Sequence, residues 1–309
     1  MTTDSFRATL RHRRRHPERP AWMEQPGTPT QVLKTLVVIG MVVAVAYPFL
    51  LCLGTSLATK DELAANGGYV LFPSEPTLEA YRVVLDGGVV TRAAMVSVGV
   101  TLIGTALSLL CTISLAYGLS RPGTTAGKPL LLIVLGTFLF TPGVIPNYLV
   151  VQELGLLDSY GALIVPTLLN AFNIVVMRAF FQGIPDELHE AAKLDGAGEF
   201  RILCTIVLPL SKAVIAVVGL FYAVTYWNSF FNAMLYINDG EKLPLQMVLR
   251  SYVLQGDTFN AKALGVAVLP SSTSLSMAVL ILAVAPIVAV YPFLQKYFVK
   301  GVLTGAIKG

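Results

Sequence analysis

A chain of 309 residues that is 55% hydrophobic and only 13% charged, with a mean hydropathy of +0.70, has too few charges to cover a water-soluble protein of its length. Its solvent is largely lipid, which helices can span because they close their own backbone hydrogen bonds; the alternating strands of a membrane barrel are absent from the pattern. The net charge of +4 says little as a total, and three cysteines, Cys52, Cys111 and Cys204, suggest no disulfide framework.

Residues 1–33 read as a disordered basic tail, with Arg7, Arg11, Arg13, Arg14, Arg15 and Arg19 among Pro, Thr and His. An export signal is the competing reading, with Ser56-Leu57-Ala58 as a small-residue cleavage site. The apolar run from Leu36 to Leu53 is longer than a signal core, and Pro-rich residues follow the adjacent arginines, so a first span is expected instead. Six apolar runs, at about 35–53, 93–119, 130–151, 161–181, 213–236 and 274–294, make up a membrane domain over 34–296.

With the N-terminus in the cytoplasm, the outer connections hold only Lys60, Arg82, Arg92, Lys242, Arg250 and Lys262 of the 22 Lys and Arg. That positive-inside bias predicts a multi-pass protein of the cell membrane. Both termini, including a tail over 297–309, and the segment 185–210 are expected on the cytoplasmic side, and the loops 54–92 and 237–273 outside.

Small residues recur along the second span at Ser97, Thr101, Gly104, Thr105, Ser108 and Thr112, a stripe that lets another helix approach closely. In the third, Pro142 and Pro146 loosen the helix near its outer end, as happens where a helix is packed by protein or lines a cavity. Asn170 and Asn173 are placed on one face of the fourth span, and Thr225, Asn228, Ser229, Asn232 and Tyr236 on one face of the fifth, beside Tyr222, Tyr226 and Trp227. Amides in lipid need partners or water. One reading is interhelical hydrogen bonding; the other is a translocation path lined by Asn170, Asn173, Trp227, Asn228 and Asn232, suited to a hydroxyl-rich solute. In the outer loops, Pro76–Leu85 predicts an interfacial or packed helix with Leu78, Tyr81, Arg82 and Leu85 on one side, and Pro244–Leu254 another.

The segment Pro185–Leu210 interrupts this apolar second half with charge. Pro185 suits a first helical turn, Asp186 and Glu187 its positive end, and Asp195-Gly196 its stop. Phe200, Leu203, Cys204 and Val207 then predict one apolar face until Pro209.

Catalytic chemistry is not in view. His12 and His16 lie in the tail, and His189 reads as an ordinary exposed residue, so no metal or general-base cluster and no cofactor is expected. Gly123-Thr124-Thr125-Ala126-Gly127-Lys128-Pro129 lacks the spacing and the Ser or Thr of a phosphate loop and reads as a turn. No span carries a carboxylate or lysine suited to a proton or sodium relay. The energy for any transport must come from a partner, and the hairpin is where one can take hold.

Glu190-Ala191-Ala192, three residues, Gly196, nine residues, Ile206, one residue, then Leu208-Pro209 resembles the EAA loop of permease subunits of binding-protein-dependent ABC importers. The resemblance covers about residues 30–309 and is nearest the carbohydrate group with the maltose-type second permease, in its LplC-like branch. Ile184-Pro185-Asp186-Glu187-Leu188, Phe221-Tyr222-Ala223 with Trp227-Asn228, and Tyr291–Gly301 carry it further.

The resemblance implies an all-α polytopic fold of six transmembrane helices, that of a type I ABC importer permease. It implies a cytoplasmic coupling helix whose Glu190, Ala191, Ala192, Asp195 and Gly196, followed by Ile206, Leu208 and Pro209, dock a separate ATPase. The partners it implies are a homologous second permease, two ATPase subunits and an extracytoplasmic solute-binding protein, besides membrane lipid and without nucleic acid. The cargo is a carbohydrate, an oligosaccharide, moved by alternating access, and the chain itself is not an enzyme. Residues near Lys300–Gly309 are implied at the ATPase interface. The alternative is an ATPase-independent carrier or channel for a small polar solute.

Overall fold

The structure, a computed structural model, describes residues 28–86, 88–124, 126–140, 142–255 and 271–306, with helices and no strand among them. The predicted basic tail lies outside the described residues as far as residue 27. Two compact units divide the chain, residues 1–50 and 51–309. In the first, the described residues belong to α1 (Thr28–Leu57), which takes in residues 28–33 of the predicted tail. Its apolar side chains there, such as Leu36, Val43 and Phe49, are exposed, the pattern of a helix built for lipid.

The second unit begins with the last turns of α1, where Thr55 accepts the Val70 N–H on Oγ1 (3.1 Å) and donates to the Val70 carbonyl (3.2 Å). A side chain at Gly54 would run into the carbonyls of Val70 and Leu71. Next come α2 (Lys60–Ala65), capped by Thr59, and α3 (Glu79–Asp86). The packed face of α3 is Ala80, Val83 and Val84, whereas Leu78, Arg82 and Leu85 point outward, so of the two expected roles their side does not take the packed one. Its small residues face the core because they let α3 come close to its neighbours, and Tyr81 reaches Ser56 with its hydroxyl (2.7 Å).

The axis of this unit is α4 (Val89–Ser120), whose 32 residues span about 48 Å. After it, α5 (Gly127–Leu139) and α6 (Val144–Glu153) replace the predicted third span. The break falls at Pro142, which lacks an N–H, and Gly143, which takes φ +87°; Pro146 sits harmlessly in the first turn of α6. The fourth span is α7 (Tyr160–Ile164), a 3-10 turn (Val165–Thr167) and α8 (Ala171–Gln182), bent by 51°.

The hairpin follows as α9 (Asp186–Leu194), α10 (Glu199–Ile202), a π-helical turn (Leu203–Val207) and α11 (Leu208–Leu210). The chain then bends by 85° into α12 (Lys212–Trp227). The fifth run does not form one helix: it stops at Asn228-Ser229 and resumes as α13 (Phe230–Tyr236). Last are α14 (Leu245–Gln255), one residue on from the predicted outer helix at both ends, and α15 (Ser272–Ala306), which continues through the predicted C-terminal tail to Ala306.

Among the described residues, three helices are long and apolar enough to cross a membrane, Thr28–Leu57, Val89–Ser120 and Ser272–Pro292, or five spans if each bent pair is one. The sequence predicts six. The difference is the third run, because α5 alone has 13 residues, about 20 Å against the ~30 Å of a hydrocarbon core.

Two clusters hold the unit together. In one, Tyr222, Tyr226 and Val218 of α12 pack with Val100 and Tyr117 of α4, Met177 and Phe181 of α8, and Ile202 and Val207 of the hairpin. In the other, Trp227 packs with Val83, Val84, Leu245, Val248, Ala278 and Val279, joining α3, α14 and α15.

Candidate functional site

The hairpin is the candidate site, and its local structure follows from its residues. Asp186 and Glu187 occupy the first turn of α9 and Lys193 the last, which suits the helix dipole at both ends. Gly196 closes the helix with φ +77°. Its N–H donates to Lys193 (3.0 Å) and the Ala197 N–H to Ala192 (2.9 Å), the paired bonds of a Schellman ending. A side chain forced into that left-handed conformation costs about 1–2 kcal/mol, so the turn favours glycine here. Ala192 thus supplies the carbonyl that the turn closes on and lies half-buried against the core.

Pro209 accounts for the next feature. Having no N–H, it cannot bond to the carbonyl four residues back, and the preceding turn widens: the Leu208 N–H donates to Leu203, five residues away, which defines the π-turn. That widening moves the apolar face. Ile202 and Val207 are fully buried and Leu203 and Ile206 half-buried, while Phe200 is 79% exposed and Cys204 exposed, so the predicted face is right at Leu203 and Val207 and wrong at Phe200 and Cys204. Burial of Ile202 and Val207 contributes about 1.5–3 kcal/mol each and fixes the hairpin to the same core as the membrane helices.

The outer face is left bare. Glu190, Ala191, Asp195 and Gly196 are exposed, and beside them stand Leu194, 89% exposed, and Phe200. At the base, Lys193 pairs with Glu199 (2.8 Å), and Glu199 accepts a hydrogen bond from the Tyr117 hydroxyl at the end of α4 (2.6 Å). The Arg121 guanidinium lies 4.9 Å from the centre of the Tyr117 ring. The pair is half-exposed and worth at most about 1 kcal/mol, so its effect is to set the angle between the two arms.

His189 departs from expectation. It is 4% exposed, on the inner face of α9, one turn before Ala192, and neither ring nitrogen has a hydrogen-bond partner. Burial first, and Arg121 second, hold its pKa below the usual 6.5, against the opposite pull of the Pro185 carbonyl and then of Asp186 and Glu199. The signal in the sequence was its position between Glu187 and Glu190 on the opposite side of the helix turn from Ala191.

The predicted path residues are not brought together on one helix face. Asn170 caps α8, accepting the Asn173 N–H on its side chain (3.2 Å), while its own N–H donates to the Tyr222 hydroxyl (3.1 Å). Asn173 is buried. Trp227 is buried too, its indole N–H donating to the Ala283 carbonyl (3.0 Å). Asn228 is exposed and donates to Val224 of its own helix (2.9 Å), and Asn232 lies half-buried beyond the break, on α13.

The two tyrosines beside them are instead partners of the small-residue stripe. The Tyr226 hydroxyl meets Ser108 (2.7 Å) and the Tyr222 hydroxyl meets Thr112 (2.7 Å), with the Tyr226 ring against Gly104. Ser97 accepts the Leu245 N–H (2.8 Å). Among the described residues no group of His, Cys, Asp and Glu could hold a metal ion. Of the segment predicted as a turn, Gly123 and Thr124 follow α4 and Gly127, Lys128 and Pro129 form the first turn of α5; the Thr124 hydroxyl donates to Gly118 (3.0 Å) and Arg121 (3.2 Å).

Residues 104–304 match the family described as the inner membrane component of binding-protein-dependent transport systems. The chain is 45% identical over 267 residues to the polygalacturonan/rhamnogalacturonan transport system permease protein YtcP of Bacillus subtilis (strain 168), covering 85% of this chain and 92% of that one. It is 46% identical over 264 residues to protein LplC of the same organism, covering 85% and 89%. Among solved structures it is similar to a chain of a bacterial ABC transporter involved in the import of the acidic polysaccharide alginate, with a TM-score of 0.82, 28% identity, and 89% and 100% of the two chains covered.

Proposed function

The chain belongs to the inner membrane components of binding-protein-dependent transport systems, and on that premise we propose that it is the permease subunit of an ATP-driven importer of a carbohydrate. The cargo is an oligosaccharide: two of the proteins it resembles are described as transporting polysaccharides. The permease pairs with a homologous second permease, receives its solute from an extracytoplasmic binding protein, and is driven by two ATPase subunits that carry the hydrolysis. Both termini and the hairpin face the cytoplasm, in line with the distribution of Lys and Arg.

The observation that carries this reading is the two-sidedness of the hairpin. A docking helix must offer one face to a partner and transmit force through the other. Here Glu190, Ala191, Leu194 and Phe200 are exposed, while Ile202 and Val207 belong to the core shared with α4, α8 and α12. Alanines keep the outer face low, so a socket can approach the backbone; Glu190 is free to pair with a cation across the joint. Movement of the ATPases would pull α9, swing the 199–210 arm and, through the 85° bend, tilt α12 against α4. Alternation between inward-facing and outward-facing states follows from such a tilt.

Glu190→Lys and Gly196→Asp test this. Each is expected to lower solute uptake at least about tenfold while leaving membrane insertion unchanged, since neither residue packs in the core and the left-handed strain at 196 is confined to the turn. Uptake at the normal rate in both variants, or uptake that survives loss of every ATPase partner, would return the chain to the class of independent carriers.

A further inference from the structure

We propose that the cavity between the end of α4, the start of α5 and the end of α8 is a phosphate-binding site, and that its occupant is the headgroup of an anionic phospholipid. The cavity measures about 400 Å³. Arg121, Lys128 and Arg178 line it from three different elements, with Asp186 as the single carboxylate among its lining residues, which leaves a net charge of +2. None of the three cations is in an ion pair among the described residues. Arg121 keeps a buried Nε without a hydrogen-bond partner, and Arg178 uses its Nε on the Leu119 carbonyl (2.9 Å), which holds the rest of its guanidinium in place.

Three cations that share one cavity with a single carboxylate repel one another, and an anion bound between them relieves that repulsion. A phosphate oxygen pair fits the guanidinium fork, and Lys128 adds a point charge. The amino end of α5, at Gly127, points the positive end of a 13-residue helix at the same space.

The surroundings favour a lipid as the source of the phosphate. Leu131 and Phe181 form the apolar part of the wall. One residue further along α5, Leu132 is 68% exposed and Ile133 64% exposed, so acyl chains have an apolar helix face to follow away from the headgroup. Basic pockets between membrane helices at the interface are the usual geometry for anionic headgroups. The site requires only that the chain is embedded in a membrane, and it stands whether or not the hairpin couples to an ATPase.

The test is native mass spectrometry of the full chain, purified with any subunits that accompany it and offered phosphatidylglycerol or phosphatidylcholine. Wild type is expected to retain phosphatidylglycerol in preference. Lys128→Gln should weaken that retention about fivefold, and Arg121→Gln with Lys128→Gln about 25-fold, leaving phosphatidylcholine unaffected. Lys128 is exposed and unpaired, so the single variant should fold, and Lys128→Arg should restore binding. Equal retention of the two lipids by wild type, or no change in Lys128→Gln, overturns the proposal. Displacement of the lipid by millimolar inorganic phosphate that itself binds keeps the phosphate site and assigns it to a soluble source. Expulsion of the lipid on adding ATPase subunits would give the pocket to a carboxylate of that partner and overturn the lipid assignment.

Discussion

The two ends of α4 are held in opposite ways. At its first turns the polar contacts knit connections to one another: Arg92 pairs with Glu241 (3.0 Å), Lys242 with Asp158 (3.1 Å) and Asp239 (3.4 Å), and Asp158 also accepts the N–H groups of Asn238 (3.0 Å) and Asp239 (2.9 Å). At its last turns the Tyr117–Glu199–Lys193 chain is the polar tie to the hairpin among the described residues, and beyond it Leu194 and Phe200 are left uncovered. One end pairs Arg92 and Lys242 with carboxylates, and the other keeps Arg121, Lys128 and Arg178 outside ion pairs among the described residues, beside a buried imidazole and uncovered apolar side chains. On the proposed coupling to an ATPase, that asymmetry would supply a clamp at one end and an open set of contacts to receive force at the other. What joins the ends is the α4–α12 contact.

Breaking that contact should have the largest effect. A Cβ built on Gly104 would lie 2.8 Å from Cε2 and Cζ of Tyr226, a ring 1% exposed and tied by its hydroxyl to Ser108. Gly104→Val forces the helices apart at a cost of about 1–3 kcal/mol, the usual range for overpacking. We expect loss of thermal stability in detergent and of solute uptake together. A variant with unchanged melting temperature would mean that the two helices are not the rigid link between the ends.

The contact also shows what the sequence makes legible. The small-residue stripe on the second span announces close packing, and the Glu-Ala-Ala spacing marks the hairpin, because both depend on side-chain size at fixed helical intervals. What fills the stripe is not legible, since Tyr222 and Tyr226 reach across from 110 and 118 residues away and read equally well as the rim of a path. Helical interval also fails wherever the helix does. Asn170 and Asn173 share a cap rather than a face, and Asn228 and Asn232 fall on either side of a break. The cue at the first pair was an Asn just before an apolar stretch, the ordinary signature of a helix start. At 203–207 the cue was Pro209, whose missing N–H widens the turn before it and shifts the register by which Phe200 had been placed inside.

Acid should loosen the hairpin end alone. Because the folded state holds the His189 pKa below 6.5, the open hairpin binds a proton more readily than the closed one. The closed form is therefore fully favoured above pH 6.5 and loses ground as pH falls from 6.5 towards the folded pKa, by at most about tenfold per pH unit. Arg121, just past the end of α4, adds to this effect, while the Pro185 carbonyl, Asp186 of α9 and Glu199 of α10 reduce it. Amide hydrogen exchange over 186–197, corrected for intrinsic rates, should rise between pH 7.5 and 5.5 in wild type and stay flat in His189→Leu. A rise that persists in His189→Leu would place the sensitivity elsewhere.

The clamp end should respond least, and only in stronger acid. Its Asp158 carboxyl is held below the usual 3.8, first by the Asp239 N–H and then by Lys242, and the matching effect raises Lys242. A carboxylate with a lowered folded pKa stabilises above its unfolded value and loses that contribution as pH falls through the folded one, so the loop 237–242 should hold at pH 5.5, where the hairpin has begun to open. Asp158→Asn is the probe that separates charge from shape. Asp158 has φ +56°, a left-handed conformation that asparagine also tolerates, and an amide oxygen can still accept the N–H groups of Asn238 and Asp239. What the variant loses is the attraction for Lys242, a half-buried pair still within reach of solvent screening, so exchange in 237–242 should rise slightly at neutral pH and lose its acid dependence. Large-scale opening of this loop in Asp158→Asn would show that the clamp hangs on a single charge, and the contrast between the two ends of α4 would fall with it.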